Sequence, residues 1–200
     1  MRKAIFTFIA LIVVAASIDW IRSCQRERSD SELLKRELTF ANMYEYHDKD
    51  FGFVIRYPSF FDDEPDSSPQ ENRHARFAYH GKWATVVLEG YVIYNRGQSL
   101  LTAMDSLAQA LHATDHKRGD GYFILSGPQY ENGSYIPDYS FYSKFVAHQK
   151  LWYVYTMVYP DRYKHVLTRL FHEIDMWQVW ERPMPRLKQG ESQTPRSVSE

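Results

Sequence analysis

The sequence has few of the residues that several common chemistries require. It has one cysteine, Cys24, so no disulfide can form within the chain and the fold must be stabilised by its core. Its formal net charge is −1, and it has no stripe of basic residues of the kind that binds phosphate backbones, which excludes nucleic acid as the expected partner. It contains no Gly-x-Ser-x-Gly, His-Glu-x-x-His, P-loop or Rossmann fingerprint. We therefore expect a protein that is not an enzyme and that uses no cofactor.

The sequence also lacks an apolar run long enough to cross a bilayer easily. Arg2 and Lys3 precede fifteen uncharged residues, 4–18, and Asp19 ends the run. As a helix this run would reach roughly 22 Å, whereas the hydrocarbon core of a bilayer is about 30 Å thick. A run of this length suits an export signal. We therefore expect the protein in the cell envelope, membrane-associated or extracytoplasmic, with the membrane contacted through this N-terminal segment.

Residues 1–24 are open to four interpretations. A cleaved signal peptide is one, since residues 15–17 are small enough for a cleavage site. A lipoprotein signal is the second, with Cys24 as the lipidation site, because residues 21–24 resemble the lipoprotein box at two of its three leading positions and Arg22 departs from it. An uncleaved anchor and a buried N-terminal helix are the other two.

The rest of the chain divides into three parts. Residues 25–43 are rich in charge and predict a linker, with a helix docked on the domain as the alternative. Residues 44–180 have the size of one domain. Residues 181–200 contain Pro183, Pro185 and Pro195 among polar residues, a composition that favours a disordered tail.

The sequence of the domain predicts strands and two main helices. Aromatic residues make up 16% of the chain, which favours strands. The pattern predicts strands over residues 51–57, 74–79, 84–94, 122–131, 134–147 and 151–159. Asn132-Gly133 predicts a tight hairpin turn. Pro137 predicts that its strand lies at an edge of the sheet or carries a bulge there. Strand 151–159 is apolar on both faces, which predicts a central position in the sheet. The expected fold class is α+β, a twisted antiparallel sheet of about six to seven strands with two main helices packed on it.

The two helices are predicted from their apolar stripes. Ser99 is a candidate N-cap for the first, whose stripe includes Leu100, Met104 and Leu107. The second opens at Pro160-Asp161. Its stripe consists of Tyr163, Val166, Leu167, Leu170, Ile174 and Trp177.

Residues 46–58, with the sequence YHDKDFGFVIRYP, resemble the opening of a PsbP-like domain. The similarity lies in a Tyr-x-Asp, a Gly-Phe strand and a Tyr-Pro exit, while Phe60 and Phe61 stand where a Trp often follows. The family, an α/β/α sandwich, is named for the extrinsic subunit of the photosystem II oxygen-evolving complex. The resemblance implies an antiparallel sheet flanked by helices and a mostly non-catalytic role as an adaptor or assembly factor.

Aromatic residues of the last three predicted strands, which form a meander over residues 122–159, are the candidate binding residues. If several lie exposed together, they form a surface of the kind that binds proteins or glycans. The candidates are Tyr135, Tyr139, Tyr142 and Trp152. No metal site is expected: His112 and His116 straddle the end of a helix, and the acidic residues that begin at Asp62 do not follow the EF-hand pattern.

Three functions are compatible with these patterns. The leading hypothesis is an exported or membrane-tethered, non-catalytic binding or assembly module of the bacterial cell envelope, with an envelope protein as its partner. The first alternative is a small-ligand or carbohydrate-binding domain with a cleft beside the meander. The second is an envelope hydrolase whose catalytic residues come together only in the fold.

The mass of the mature N-terminus distinguishes the interpretations of residues 1–24. A lipidated chain is expected to begin at Cys24, a chain cleaved as a soluble protein near Ile18, and an anchored chain at Met1. Mass spectrometry of the protein purified from membrane and soluble fractions makes the measurement. Recovery of the intact chain in the cytoplasmic fraction alone would contradict all three interpretations that involve export.

Overall fold

The computed structural model describes residues 13, 16–17, 20–24, 30–64, 73–82 and 84–179. A seven-stranded antiparallel sheet, in the order β3-β4-β5-β9-β8-β7-β6, is its main element, and β1 and β2 form a separate hairpin. The elements are α1 (residues 30–40), β1 (Met43–His47), β2 (Val54–Pro58), β3 (Asp62–Asp63), β4 (Arg73–His80), β5 (Thr85–Tyr94), α2 (Leu100–Ala110), β6 (Asp115–Arg118), β7 (Tyr122–Glu131), β8 (Ser134–His148), β9 (Leu151–Pro160), a 3-10 helix (Asp161–Val166) and α3 (Thr168–Met176). The α+β fold class is confirmed.

Strand β9 occupies the middle of the sheet because it is apolar on both faces. Tyr153, Tyr155 and Met157 contribute to one core cluster, and Trp152 and Val154 contribute to the other. Such a strand is stable only where both of its faces are covered. The predicted central position is therefore confirmed, and the two clusters make the domain a three-layer structure.

The first layer consists of α1, the β1–β2 hairpin, the 3-10 helix and α3. All six residues of the predicted C-terminal stripe are buried here, although the 3-10 helix and α3 divide them between two elements. The break comes at Leu167, which joins the two segments. The prediction that the stripe is buried is confirmed. Tyr163 and Val166 are three apart in the 3-10 helix, where that spacing lies on one side, and Leu170 and Ile174 are four apart in α3, where that spacing does so too.

The opposite layer is α2. Ser99 caps it as predicted, with its hydroxyl accepting a hydrogen bond from the backbone N–H of Thr102 at 3.2 Å. Ala103 and Met104 are buried against the sheet, where Phe123, Phe145 and Trp152 also lie. The small side chain of Ala103 lets the helix approach this aromatic layer closely.

The residues that resemble a PsbP-like opening form the β1–β2 hairpin. Asp48 Oδ1 accepts the backbone N–H groups of Asp50 and Phe51 at 3.0 and 2.6 Å, and Gly52 supplies a φ of +72°. A carboxylate that accepts hydrogen bonds two and three residues ahead fixes a turn, and glycine adopts the positive φ at little cost. The motif therefore has a structural role here.

The hairpin is held against the sheet by side chains that reach its free edge. The Tyr155 hydroxyl donates to the Arg56 carbonyl oxygen at 2.6 Å, and the indole N–H of Trp177 donates to the Val54 carbonyl oxygen at 2.6 Å. The ring of Tyr57 stacks on Phe77 of β4 with centroids 3.7 Å apart. The carbonyl groups that β2 turns away from β1 therefore have donors, although no strand in the described ranges pairs with that edge.

The domain begins earlier than residue 44, in contrast to the predicted division. Within the predicted linker 25–43, residues 30–40 form α1, whose Leu34 and Leu38 are fully buried in the core. Arg169 of α3 donates to the carbonyl oxygen of Ala41 at 3.0 Å. Only two buried leucines stand among the charged residues of this segment, so its composition resembles that of a solvated spacer. The alternative interpretation, a docked helix, is the one that the structure shows.

Three short strands, β1, β3 and β6, were not predicted, and two predicted segments fall largely outside the described residues. The three are two to five residues long, and β3 and β6 consist of polar residues throughout, so their pairing depends on neighbours and not on their own pattern. Of residues 1–24, positions 13, 16–17 and 20–24 are described and are helical. The proposed tail 181–200 lies outside the described part of the chain. No helix in the described ranges is long and apolar enough to span a membrane.

Replacing Tyr155 with phenylalanine is expected to loosen the hairpin from the sheet. The change keeps the ring in the core but leaves the Arg56 carbonyl group without the hydroxyl donor. Removal of one partner of a buried hydrogen bond costs about 1–3 kcal/mol. Urea unfolding should therefore show a lower midpoint for Tyr155→Phe.

The matched control is Tyr94→Phe, which removes a hydroxyl from a strongly exposed ring. Its unfolding midpoint should stay at the wild-type value. Equal midpoints for the two variants would show that the Tyr155 hydroxyl does not stabilise the docked hairpin.

Candidate functional site

Strands β7 and β8 extend beyond the rest of the sheet as a two-stranded arm. Pairing of β6 with β7 ends at Asp115 and Ser126, and pairing of β9 with β8 begins at Pro160 and Tyr139. Residues 128–138, here called the arm, therefore pair only within the β7–β8 hairpin among the described strands. The arm carries its side chains away from both core clusters, where a partner can reach them.

A tight turn and a bulge give the arm its shape. Asn132 and Gly133 have φ values of 50° and 77°, and they join Glu131 directly to Ser134. Two successive positive φ angles are what a two-residue hairpin turn requires. Nearer the sheet the register slips between Pro128 and Tyr130, and Asp138 has a φ of 61°. The predicted turn and the predicted irregularity after Pro137 are both confirmed.

Three aromatic rings lie in a row beside the arm, with interplanar angles of 53° and 33° between successive rings. The centroids of Tyr130 and Tyr135, which face each other across the two strands, are 5.7 Å apart. The ring of His112, from the turn after α2, lies 4.4 Å from Tyr130. Tyr135 is the outermost ring and is 53% exposed. We call His112, Tyr130 and Tyr135 the aromatic stack.

Gly127 places His112 beside the arm. A Cβ atom at this position would lie 2.9 Å from the backbone N of Thr114 and 3.0 Å from the carbonyl oxygen of His112. Because these are backbone atoms, any side chain would push the turn after α2 away from β7. The backbone N–H of Thr114 also donates to the Ser126 carbonyl oxygen at 2.9 Å. The absence of a side chain at Gly127 therefore lets the turn pack closely enough for the His112 ring to reach Tyr130.

The four candidate binding residues do not come together in one patch. Tyr135 lies exposed on the arm, while Tyr139 lies at its base, where its hydroxyl accepts the backbone N–H of Thr85 at 3.2 Å. Tyr142 is on the α3 side, 4.9 Å from the ring of Phe171. Trp152 is buried under α2, and its indole N–H has no hydrogen-bond partner in the described structure.

The separation follows from strand geometry. Side chains alternate between the faces of a strand, so Tyr142 and Trp152 belong to opposite layers. A buried Trp152 cannot contact a partner on the folded surface, and this part of the expected patch is corrected. Tyr135 alone remains as an exposed candidate, with His112 and Tyr130 as neighbours. His112 is an exposed residue, but nothing in its spacing along the sequence shows that its turn packs on Gly127.

Charged residues near the β3 edge form a second cluster. Glu64 accepts a hydrogen bond from Arg76 Nε at 2.9 Å and lies 2.6 Å from His80 Nε2. Arg76 also pairs with the buried Glu89. Hydrogen bonds from His80 and Arg76 hold the pKa of Glu64 below its ordinary value. A carboxylate so engaged stabilises the packing of β3, β4 and β5 and is a weak proton acceptor.

A third polar cluster closes the end of α3. The Lys144 ammonium group donates to the carbonyl oxygens of Asp175 and Trp177 at 2.6 and 2.7 Å and lies 4.5 Å from the ring centre of Tyr122. Burial lowers the pKa of Lys144. The Tyr142 hydroxyl donates to Asp175 Oδ1 at 2.5 Å, and burial, followed by this hydrogen bond, raises the pKa of Tyr142. These groups supply donors for the last carbonyls of the helix and attach it to β8.

The residues considered for metal binding lie in ordinary structural positions. His112 follows α2 and His116 lies in β6, so the two are not on one helical face. Asp62 and Asp63 form β3 and pair with β4. Within the described ranges, no group of three or more histidine, cysteine or acidic residues is arranged to hold a metal ion.

Comparison with solved structures identifies a similar fold. The solution structure of cyanobacterial PsbP (CyanoP) from Synechocystis sp. PCC 6803 matches with a TM-score of 0.51 and 10% sequence identity. The match covers 70% of this chain and 94% of that one. No protein-family model and no curated protein matches the chain. The domain therefore has a PsbP-like fold, as the opening motif predicted.

Replacing Glu64 with glutamine is expected to change how stability depends on pH. Because the folded-state pKa of Glu64 is depressed, the carboxylate contributes stability above its unfolded-state pKa, and this contribution is lost as pH falls through the folded value. Glu64→Gln should therefore unfold earlier than wild type in urea at pH 7, by below about 1 kcal/mol because the group is partly solvated. The difference should disappear below about pH 3.

The control is Asp120→Asn, which removes an exposed carboxylate from the turn before β7. Its unfolding curve should follow that of the wild type at both pH values. A difference for Glu64→Gln that persists at acid pH would show that the carboxylate charge is not what stabilises the cluster.

Proposed function

We propose that this protein is a membrane-tethered, extracytoplasmic binding module that engages an envelope protein through the aromatic stack of its arm and performs no catalysis. The observation that carries the proposal is the exposed Tyr135 ring supported on Tyr130 at the end of a projecting hairpin. Tyrosine is enriched among the residues that dominate binding energy at protein interfaces, because one ring supplies a large apolar area and a polar hydroxyl.

The rigidity of the arm supports a binding role. The Asn132-Gly133 turn fixes the hairpin register, and the packing of the His112 turn on Gly127 supports the stack from the side. A ring that is already held in place loses little conformational freedom when a partner covers it, so more of the contact energy remains as affinity. Tyr135 is thus presented by a preorganised support.

The partly buried charged groups support a structural and not a catalytic use of the interior. Glu64, Arg76 and Lys144 all have close partners within the domain. Each of these pairs stabilises a boundary between elements, at the β3 edge or at the end of α3. The PsbP-like resemblance, which implies adaptor and assembly roles, agrees with this use.

The tether is supported by the order of segments along the chain. The uncharged run 4–18 precedes the domain, and the described residues after it, 20–24, are helical and exposed. An apolar run of this kind directs a chain into or across a membrane. The folded domain would then work beside the membrane, where an envelope protein is accessible to the arm.

Tyr135→Ser is expected to weaken partner binding and leave the fold intact. The ring is largely exposed and lies outside both core clusters, so the melting temperature should hardly change. If Tyr135 is a hot spot worth about 2 kcal/mol, the affinity should fall roughly thirtyfold. Tagged full-length protein would be purified from membranes, and the amount of each co-purified protein compared between variant and wild type.

Tyr94→Ser is the matched control, because Tyr94 is an exposed tyrosine at the end of β5, away from the arm. It should retain every partner that the wild type recovers. If Tyr135→Ser and Tyr94→Ser recover the same proteins in the same amounts, the arm is not the binding surface and the proposal fails.

A further inference from the structure

The exposed apolar side chains of the domain are concentrated near its N-terminal end. Ten large hydrophobic side chains are exposed in the described ranges, and six of them lie at or before residue 44. Single exposed apolar residues are normal on a protein surface, and these six are of interest because they follow one another within a short stretch of the chain. The six are Val13, Trp20, Ile21, Leu33, Phe40 and Tyr44.

Helix α1 has an apolar outer stripe in addition to its buried face. Successive residues are about 100° apart around a helix, so Leu34 and Leu38 share the inner face and Leu33 and Phe40 lie two turns apart on the outer one. Phe40 is 80% exposed and Leu33 is 51% exposed. Arg36 and Glu37 lie between them along the helix, one on each side of the line that joins them, and both are exposed. We call Leu33, Arg36 and Phe40 the outer stripe.

The position of the uncharged run indicates what covers this stripe. The run ends at residue 18, and eleven residues, 19–29, separate it from α1. Such a segment spans roughly 17 Å as a helix and at most about 40 Å when fully extended. If the run is in the membrane, α1 is therefore held within a few tens of ångströms of the lipid surface.

The composition of the stripe and of the residues before it matches an interfacial helix. Trp20 and Ile21 are exposed beside Arg22, and Phe40 and Leu33 flank Arg36. Tryptophan, phenylalanine and leucine insert their rings and chains into the acyl boundary, while arginine keeps its charged end among the headgroups. The apolar side chains and the two arginines named here therefore each have a suitable environment at a lipid surface.

We infer that the outer stripe of α1 lies on the lipid surface, with Leu33 and Phe40 inserted at the acyl boundary and Arg36 among the headgroups. This inference rests on the membrane attachment proposed above and adds a second contact to it. Because α1 is attached to the core through Leu34 and Leu38, the contact orients the whole domain relative to the bilayer. The arm is then presented to its partner in a fixed direction.

A photoreactive amino acid at position 40 tests which molecule covers the stripe. Phe40→benzoylphenylalanine in the full-length chain, reconstituted in vesicles of phosphatidylethanolamine and phosphatidylglycerol, is expected to form lipid adducts on illumination. Tyr94→benzoylphenylalanine is the control, because Tyr94 is 76% exposed but lies at the end of β5. It should form none, and mass spectrometry of the intact chain detects the difference.

The other outcomes overturn the inference and separate it from the proposed function. A vesicle-bound chain with no lipid adduct at position 40 shows that the stripe does not touch lipid, while the tether stands. A cross-linked dimer at position 40 assigns the stripe to a second copy of the chain. A chain that does not associate with the vesicles overturns both the lipid contact and the tether. Loss of partner binding in Tyr135→Ser is independent of all three.

A charge placed on the outer stripe provides a second test, in which the probe at position 40 is combined with a substitution at position 33. Leu33→Asp, combined with the probe at position 40, should lower the yield of lipid adduct about tenfold, because an aspartate is costly to insert beside the acyl chains. Leu101→Asp is the matched control: Leu101 is 49% exposed on α2, in the opposite layer. Equal losses of adduct in both variants would overturn the inference.

Discussion

The architecture depends on the need to cover both faces of β9 while giving its tyrosines hydrogen-bond partners. A strand that is apolar on both sides requires a layer above and a layer below. Tyr155 adds a further condition, since its buried hydroxyl needs an acceptor. The Arg56 carbonyl oxygen meets that need at 2.6 Å. The β1–β2 hairpin is therefore attached to the sheet by a specific hydrogen bond as well as by apolar contact, and α1 and α3 pack around it.

The polar clusters follow the same logic at the margins of the domain. Lys144 caps the last carbonyls of α3, and Glu64 with Arg76 and His80 ties the short β3 to its neighbour. In both places a side chain supplies hydrogen bonds that the backbone of a short element does not make. The margins of the domain are thus stabilised by groups that are already paired with one another.

The elements that could be predicted are those whose signal is local. The Asn132-Gly133 turn, the Ser99 cap and the doubly apolar β9 are each specified by residues within a few positions of one another, so pattern reading identified them. Helix α1 shows the opposite case. Two leucines, Leu34 and Leu38, decide that it docks, and their burial depends on the hairpin and on α3, which come later in the chain.

The sequence by itself determined the fold class, the succession of the principal strands along the chain and the Asn132-Gly133 turn, because alternation, helical periodicity and turn chemistry are local properties. Only the tertiary structure decided which aromatic residues share a surface. Tyr142 and Trp152 are drawn into opposite layers by strand pairing, and His112 reaches Tyr130 because Gly127 lets one backbone approach another. Such contacts join residues far apart in the chain, and their geometry is set by packing, which no local pattern records.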